Sequence, residues 1–376
     1  MSESVDILVV GGGMAGLSIG AALAADARVA VLEAEDAPGY HATGRSVAFW
    51  TESYGGPAIQ PLTSASGPLL DDPDPDFSAA SFLGARGAFH IGPADAAGAA
   101  DAFVALYGGQ GVDVRRVGRD ALADAVPGLL PEWTVGVAEP SCRDIDAAAL
   151  LDAYRRQLLR RGGTLRCGAA VRSARREGAG WRVETDAGGI ACGIVVNAAG
   201  AWADGIARLC GAAPIGIEPL RRTVVQLRTD PAAPAGLPLI IDLAERFYFK
   251  GVGGDRLWLT PHDEEPQPPG DAAPDDLAVA TAIARFETVV GWRIAAMERK
   301  WAGLRSFAPD RAPVYGFDPA APGFFWFAGQ GGFGIQTAPA AALLGAALVT
   351  GRAPDARVAH IDAGRYAPAR FSASHG

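Results

Sequence analysis

The sequence predicts a mixed α/β fold in which a domain built on a parallel sheet is interrupted by a second, α+β domain built on an antiparallel sheet. Three observations predict it. Apolar runs that pass directly into glycine-rich turns and helices occur at residues 6–16 and 323–337, and a similar run lies near residue 195. Between them, residues 223–260 carry four strand-like runs in succession with no helical spacing. Finally, 376 residues suffice for about two domains at roughly 150 residues each.

Taken in order, residues 6–10 (DILVV) form a nearly continuous apolar strand, as in a sheet covered on both faces. Residues 11–16 are a turn, 17–25 a helix of small residues, and 29–32 a second strand that ends on Glu33. Residues 38–46 are a loop. Residues 53–76 are rich in proline and admit a helix only at 61–70. A strand is expected at 87–91 and helices at 95–107 and 119–125.

Residues 146–161 are amphipathic, with Leu150, Leu151, Tyr154, Leu158 and Leu159 near helical spacing, and Gly162 and Gly163 end that helix. Strands are expected at 164–167, 170–176, 181–185 and 190–197, then at 223–228, 239–242, 247–250 and 257–260. Residues 266–274 are a proline-rich loop and 276–289 a helix. A strand at 323–327 enters the glycine-rich turn 329–334, and a helix at 337–350 closes the chain. The domains implied are 1–47, 143–215 and 300–376 for the first, and 48–142 and 216–299 for the second.

Composition narrows the functional classes. About half the residues are apolar and a fifth charged, as in a soluble globular protein. The net charge of −9 speaks against a nucleic-acid partner, which needs a basic face. Cys142, Cys167, Cys192 and Cys210 form no CxxC pair and have no histidine cluster beside them, so no metal site is expected. Neither the first apolar run nor the alanine-rich stretch 338–349 reaches the ~20 residues a bilayer requires. The expected location is the cytoplasm, with no transmembrane segment.

The first motif carries chemistry. Gly11-Gly-Gly13-Met14-Ala15-Gly16 satisfies GxGxxG directly after a strand and opens a helix. Gly11 permits the tight turn, Gly13 lets the backbone approach a pyrophosphate, and Gly16 lets helix and strand pack closely. The phosphates would lie at the positive end of the helix. Glu33, 17 residues after Gly16, is placed to accept bonds from ribose hydroxyls. The unit therefore reads as Rossmann-like and dinucleotide-binding; it does not by itself separate FAD from NAD.

Two further segments favour FAD, and two more continue the same resemblance. They are Tyr40-His-Ala-Thr43-Gly44-Arg45-Ser46, the strand and turn from Val195 through Ala199 and Gly200 to Asp204, the run Trp301 to Asp310, and Gly329-Gln-Gly331-Gly332-Phe-Gly334-Ile335-Gln336-Thr337. With them the chain resembles the D-amino-acid oxidase superfamily (the glycine oxidase and sarcosine oxidase group), nearest to its bacterial D-arginine dehydrogenase type. The resemblance implies FAD held at Gly11, Gly13, Met14, Ala15, Gly16, Glu33, Ala34, Thr43, Gly44, Arg45, Ser46, Val171, Ala199, Gly200, Gly331, Gly332, Gly334, Ile335, Gln336 and Thr337. It implies that Arg45 brings a cation near the phosphates. Helix N–H groups near residues 335–337 would stabilise negative charge on the reduced flavin.

The resemblance also implies a substrate carboxylate held by Arg305 and Arg222, since a bidentate guanidinium fixes orientation. Tyr54 and Tyr248 would line the pocket, and Gln336 and the Gly332 carbonyl would meet the amine. The reaction implied is oxidative deamination by hydride transfer from the substrate α-carbon to flavin N5, and the imino acid then hydrolyses to the 2-oxo acid. None of His41, His90, His262, His360 and His375 sits in a motif that marks a base, so positioning would dominate catalysis. Quinone, dye and oxygen all remain open as electron acceptors.

Three departures from relatives bear on the substrate. Phe49 stands where the arginine-type relatives have histidine, and Ala88 stands where a carboxylate would meet a cationic side chain. Phe49, Trp50 and Ala88 thus suit a neutral or apolar side chain. No cysteine lies near Gly303, where sarcosine oxidases attach flavin, which implies noncovalent FAD. Trp258 replaces the lysine those oxidases use toward oxygen, which favours a dehydrogenase. Two alternatives stay open: an oxidase of secondary or cyclic amines, and a flavin-bearing protein without turnover.

Overall fold

Residues 3–374 are described by a computed structural model; His375 lies outside them. The first sheet has a parallel core in the order Thr164–Arg166, Val29–Leu32, Glu3–Val10, Gly188–Asn197 and Phe324–Ala328. Antiparallel strands extend it at Val171–Glu177, Gly180–Thr185 and Val314–Phe317. Alternation along Glu3–Val10 explains the continuous apolar run. Ile7 and Val9 face one core, with the helices Met14–Leu23, Ala147–Arg160 and Ala338–Thr350, while Leu8 and Val10 face another, with Ile206 and Trp326.

The second sheet has ten strands, from Gln330–Gly331 through Arg293–Phe307, Glu218–Asp230, Arg256–Thr260, Tyr248–Gly253, Leu239–Asp242, Ala88–Pro93 and Trp133–Glu139 to Arg115–Val117, with Glu265–Pro266 paired on Glu218–Asp230. It is antiparallel except where Leu239–Asp242 runs parallel to Ala88–Pro93. One face packs Val225, Leu227, Phe249, Leu257 and Leu259 under the helix Asp276–Glu287. The opposite face is turned toward the first sheet's domain and carries the polar side chains. Period-two alternation and register put Arg222 opposite Gly303 and Lys250 opposite Trp258, with Tyr248 and Arg305 on the same face. A small third sheet joins Phe49–Trp50, Arg143–Ile145 and Leu83–Ala85.

The structure differs from the expected elements in places. The first helix is Met14–Leu23, because the motif's last glycine lies inside it rather than before it. The helix in the proline-rich stretch runs Gln60–Asp71 and contains Pro68. The strand expected at 223–228 extends over Glu218–Asp230. Its partner Arg293–Phe307, at 15 residues the longest strand described, was not expected. Its first half is mostly exposed and shows no apolar alternation, so pairing across 13 positions sets its conformation. Residue 300 falls within this strand. Trp133–Glu139 was also unforeseen, as a run buried at nearly every position. Among the described residues, no helix is long and apolar enough to cross a membrane.

Candidate active site

The glycine turn forms one end of a large cleft. Gly11 has φ +111°, and a Cβ there would stand 2.4 Å from the Ala198 carbonyl oxygen. A Cβ on Gly16 would stand 1.8 Å from the Gly11 carbonyl oxygen, so helix and turn close only around glycine. Glu33 is held against the turn: Gly12 N–H donates to one carboxylate oxygen (2.8 Å) and Glu35 N–H to the other (2.9 Å). The Thr43 hydroxyl accepts from Met14 N–H at 3.0 Å, pinning the loop after the second strand to the helix start.

The cleft holds about 390 Å³. Its walls include Gly11, Gly13, Met14, Ala15, Glu33, Ala34, Thr43, Arg45, Ser46, Val171, Ala199, Gly200, Gly331, Gly332, Gly334 and Ile335. Among the other sequence-predicted residues, Gly16 lies behind the turn and Gly44 N–H bonds to the Gly39 carbonyl. Thr337 is buried, with its hydroxyl on the Phe333 carbonyl. Walls that sequence reasoning did not assign include His41 and Trp202, which lie inside the motif segments 40–46 and 195–204, Arg172 on the strand Val171–Glu177, and Gly270 and Ala272 from a loop with no local signature. Backbone at the turn, an acid at the end of the second strand and a helix N-terminus together fit a dinucleotide with a diphosphate bridge.

Arg45 lines this cleft, but its charge is engaged elsewhere. It pairs with Asp271 at 2.5 Å and donates to the carbonyls of Ala272 and Ala302 at 3.2 Å each. The Tyr40 hydroxyl also reaches Asp271, at 3.3 Å. The proline-rich loop around Gly270 is thereby latched onto the cleft wall.

A second, much smaller cavity of about 20 Å³ adjoins the first. It is lined by Ser46, Val47, Ala48, Phe49, Tyr54, Tyr248, Arg305, Gly332, Ile335 and Gln336. Ser46, Arg305, Gly332 and Ile335 belong to both walls. Arg305 is 6% exposed, and burial followed by repulsion from Arg222 depresses its pKa. No ion pair or side-chain hydrogen bond of its guanidinium occurs among the described residues. A buried cation without a partner costs several kcal/mol in general, and an anion delivered to it recovers much of that.

Arg222 differs. It is equally buried, but it pairs with Glu264 at 2.9 Å, donates to the Asp263 carbonyl at 2.9 Å and reaches the Tyr54 hydroxyl at 3.4 Å. Glu264 also pairs with Arg311. Tyr248 is 3% exposed, and burial and Tyr54 raise its pKa against the opposing pull of Arg222 and Arg305. Phe49, Tyr54 and Tyr248 pack edge to face, with Phe49 5.2 Å from Tyr54 and 5.6 Å from Tyr248.

Three side chains lie otherwise than the sequence suggested. Trp50 does not line the cavity: on a two-residue strand it faces away from Phe49, and its indole N–H bonds to the Thr63 carbonyl at 2.9 Å. Gln336 lines the cavity, but its amide clamps the loop that bears Tyr54. It donates to the Tyr54 carbonyl (3.2 Å) and the Thr63 hydroxyl (3.0 Å) and accepts from Thr51 N–H (3.3 Å). His262 stands 3.2 Å from the Tyr54 hydroxyl, although no motif marked it. Glu139, in register with Ala88, spends its buried carboxylate on Ser53 Oγ (2.5 Å), Glu52 N–H (2.8 Å) and His90 (3.3 Å). None of the residues lining the small cavity is acidic.

Two large sheets frame this pair of cavities, and the glycine turn at one end suits a dinucleotide. The profile of the family described as DAO, FAD dependent oxidoreductase, matches residues 6–348. The chain belongs to this family, and its cofactor is FAD. It is similar to "FAD-dependent oxidoreductase domain-containing protein 1" of Bos taurus, 29% identical over 172 residues, which are 40% of this chain and 34% of that protein. The Xenopus laevis protein of that description is 26% identical over 168 residues, 40% of this chain and 33% of that protein. The chain thus matches about a third of the length of these relatives.

Among solved structures, L-proline dehydrogenase from P. horikoshii superposes with TM-score 0.86 at 22% identity, covering 99% of each chain. Glycine oxidase from Geobacillus kaustophilus gives 0.82 at 22% identity, covering 96% of this chain and 100% of the other. These likenesses establish the shared fold.

Proposed function

We propose that this FAD-dependent oxidoreductase oxidatively deaminates D-amino acids with neutral or apolar side chains. The observation that carries the proposal is Arg305: a buried, unpaired guanidinium in the wall common to the large cleft and the small cavity. A substrate carboxylate on Arg305 sets the α-carbon at the junction of the two. Bound FAD supplies the two-electron acceptor. In this reading the residues predicted from sequence to hold the cofactor do so along the large cleft, with the parallel-sheet domain as the FAD domain and the ten-stranded sheet as the substrate platform.

Arg222 acts second to Arg305, because Glu264 already neutralises it. Phe49, Tyr54 and Tyr248 exclude water from the reacting carbon and enclose the side chain. The D-configuration rests on the resemblance of residues 39–46 and 329–337 to the D-arginine dehydrogenase type. The side-chain preference departs from that type, because Phe49 and Ala88 offer no charge. The imino acid leaves as such and takes up water, releasing ammonia and the 2-oxo acid. FAD is held noncovalently in this reading, because the cysteine to which sarcosine oxidases attach flavin has no counterpart near Gly303 and none of the four cysteines lines the large cleft. Those four free thiols suit a cytoplasmic protein.

The test is anaerobic bleaching of the yellow flavin by D-amino acids, their L-enantiomers, glycine, sarcosine and proline. Bleaching by neutral D-amino acids is expected. Bleaching by secondary amines alone would replace the reading with an amine oxidase, and none at all would leave a flavin carrier. Acid precipitation is expected to release FAD into the supernatant; colour held in the pellet would show a covalent bond.

A further inference from the structure

We propose that Lys250 is a specificity-determining residue: its buried ammonium, one backbone carbonyl behind the Ala48–Phe49 wall of the small cavity, rejects substrates whose side chain carries a positive charge. This rests on the reading that a substrate carboxylate sits on Arg305 and that the side chain lies against that wall. Lys250 follows Tyr248 by two residues on the strand Tyr248–Gly253, so the two side chains leave the sheet on the same face. Tyr248 and Ala48 both line the cavity. Lys250 Nζ donates to the Ala48 carbonyl at 3.2 Å, which places the ammonium directly behind the wall.

The charge is buried and only partly balanced. Lys250 is 4% exposed, and its ammonium pairs with Asp144 Oδ1 at 2.7 Å. Asp144 stands in register with Phe49 and holds a second cation on its other oxygen. Arg86 Nε donates to that oxygen at 2.8 Å, and Arg86 Nη2 donates to it as well. Two cations thus share one carboxylate, and the cluster carries surplus positive charge. Arg86 is fixed further by the Leu237 carbonyl, at 2.7 Å. The Lys250 ammonium also lies 5.7 Å from the centroid of the Trp258 ring, whose face favours a cation. Glu139 is the other acid near Cys142, and its carboxylate turns to Ser53, the Glu52 N–H and His90. Burial pulls the Lys250 pKa down and Asp144 opposes that pull, so the ion pair keeps the amine protonated.

Ala48 sharpens the effect. Its φ of +47° lies in the left-handed region that side chains other than glycine seldom adopt, and its carbonyl is engaged by Lys250. A cationic side chain in the cavity would find that acceptor taken and a like charge behind it. In an interior poor in water, like charges repel over several ångströms, whereas a methyl group in the same place meets only the apolar wall. A wall without an acid leaves a cation unpaired; Lys250 adds a charge that opposes it. The two effects separate when the Lys250 charge is removed and the wall is kept.

Two pairs of matched substrates test this. D-norleucine and D-ornithine have side chains of equal length that end in a methyl and an ammonium; D-glutamine and D-glutamate share a shape and differ by a negative charge. The measurement is the rate of anaerobic flavin reduction of the holoenzyme by each. The wild type is expected to prefer D-norleucine to D-ornithine. Lys250→Gln, whose amide can still donate to the Ala48 carbonyl and to Asp144, is expected to shrink that preference about tenfold and to weaken D-glutamate about threefold relative to D-glutamine. Lys250→Arg keeps the charge and is expected to hold both ratios within about twofold of the wild type. A variant that only loosened the wall would lower both members of each pair together. Unchanged ratios in Lys250→Gln, shifts that do not follow the sign of the charge, or a Lys250→Arg that behaves like Lys250→Gln would each overturn the proposal. Should Lys250→Gln purify without FAD, Arg86→Gln decides: a gain for D-ornithine with a loss for D-glutamate, each relative to its neutral match, supports the proposal, and no such shift overturns it. A wild-type flavin that D-norleucine and other neutral D-amino acids do not bleach fails before any ratio is taken. That outcome removes the Arg305 reading, and the role of Lys250 with it.

Discussion

The large cleft and the small cavity share Ser46, Arg305, Gly332 and Ile335, yet they are made of different material. The cleft is shaped by backbone: glycine turns, strand ends and a helix start, with side chains such as Glu33 and Thr43 holding the backbone in place. The cavity is shaped by side chains that arrive from separate segments, namely 46–54, 248, 305 and 332–336, with 222 and 262 behind them. Backbone geometry tolerates one residue type per position. A wall of side chains can be retuned one position at a time, so cofactor choice is expected to be rigid and substrate choice adjustable.

The largest effect should come from breaking the backbone. In Gly16→Val the new side chain meets the Gly11 carbonyl, and the turn or the helix must shift, at a cost of about 3 kcal/mol or more. The expected result is a lower melting temperature and a protein purified without flavin. Gly205→Ala is the control, since nothing lies within 4 Å of a Cβ there and the residue is inside the helix Ala203–Leu209. It is expected to keep full flavin content and gain about 0.5–1 kcal/mol of stability. Equal flavin loss in both would remove the contrast.

Next is the junction itself. Arg305→Ala is expected to lose on the order of 2–5 kcal/mol in kcat/KM for amino acids and to retain its FAD, because the loss falls on the ligand's charge partner. Arg222→Ala is expected to lose less activity but to destabilise the fold, since it removes the buried bonds to Glu264 and the Asp263 carbonyl, although Arg311 still pairs with Glu264. Unchanged kinetics in Arg305→Ala would place the carboxylate elsewhere.

The same contrast decides what could be read from the sequence. The cleft was legible because its information is local: Gly11, Gly13 and Gly16 sit within one turn, and Glu33 ends the next strand. The cavity was legible only where a motif carried a residue with it, as with Arg305 and Gly332. Trp50 was placed in the wall beside Phe49, although neighbours on a strand point to opposite faces. His262 follows Pro261 just beyond a strand end and has no spacing signal; only the pairing of Arg256–Thr260 with its neighbours brings it to Tyr54. Arg45 was expected near phosphates from its place in the segment 40–46 and the resemblance it carries, and the acceptors that claim its charge, Asp271 and Ala272, lie more than 200 positions away.

Phe49 and Trp50 give a smaller, sharper test of side-chain preference. D-leucine, D-phenylalanine and D-methionine are expected to exceed D-arginine and D-lysine at least tenfold in kcat/KM, about 1.4 kcal/mol. No acid lines the cavity to meet a guanidinium, and the apolar wall gains roughly 25 cal/mol per Å² buried. Phe49→Ala is expected to change the ranking among apolar substrates. Trp50→Ala is expected to leave the ranking intact and lower stability, because Trp50 packs into the helical core instead. A tenfold win for D-arginine would mean that a carboxylate from outside the cavity wall, such as Glu52 or one at 263–265, reaches the substrate.

The smallest effect concerns the latch over the large cleft. Asp271 is 63% exposed at its side chain and Arg45 only 16%, so the pair is screened on one side. Exposed ion pairs contribute about 0–1 kcal/mol. Asp271→Asn is therefore expected to raise the FAD dissociation constant no more than about fivefold, because the Arg45 bonds to the Ala272 and Ala302 carbonyls remain. Arg45→Ala removes those as well and is expected to cost more. The Arg45 hydrogen bond holds the Asp271 carboxyl below its ordinary value of 3.8, so the pair is intact above that value and is lost only as pH falls through the depressed one. FAD retention measured from pH 6 to pH 9 should therefore be flat in the wild type and in Asp271→Asn alike. A titration of FAD release within that range, abolished by Asp271→Asn, would show that Asp271 ionises in contact with a group other than Arg45.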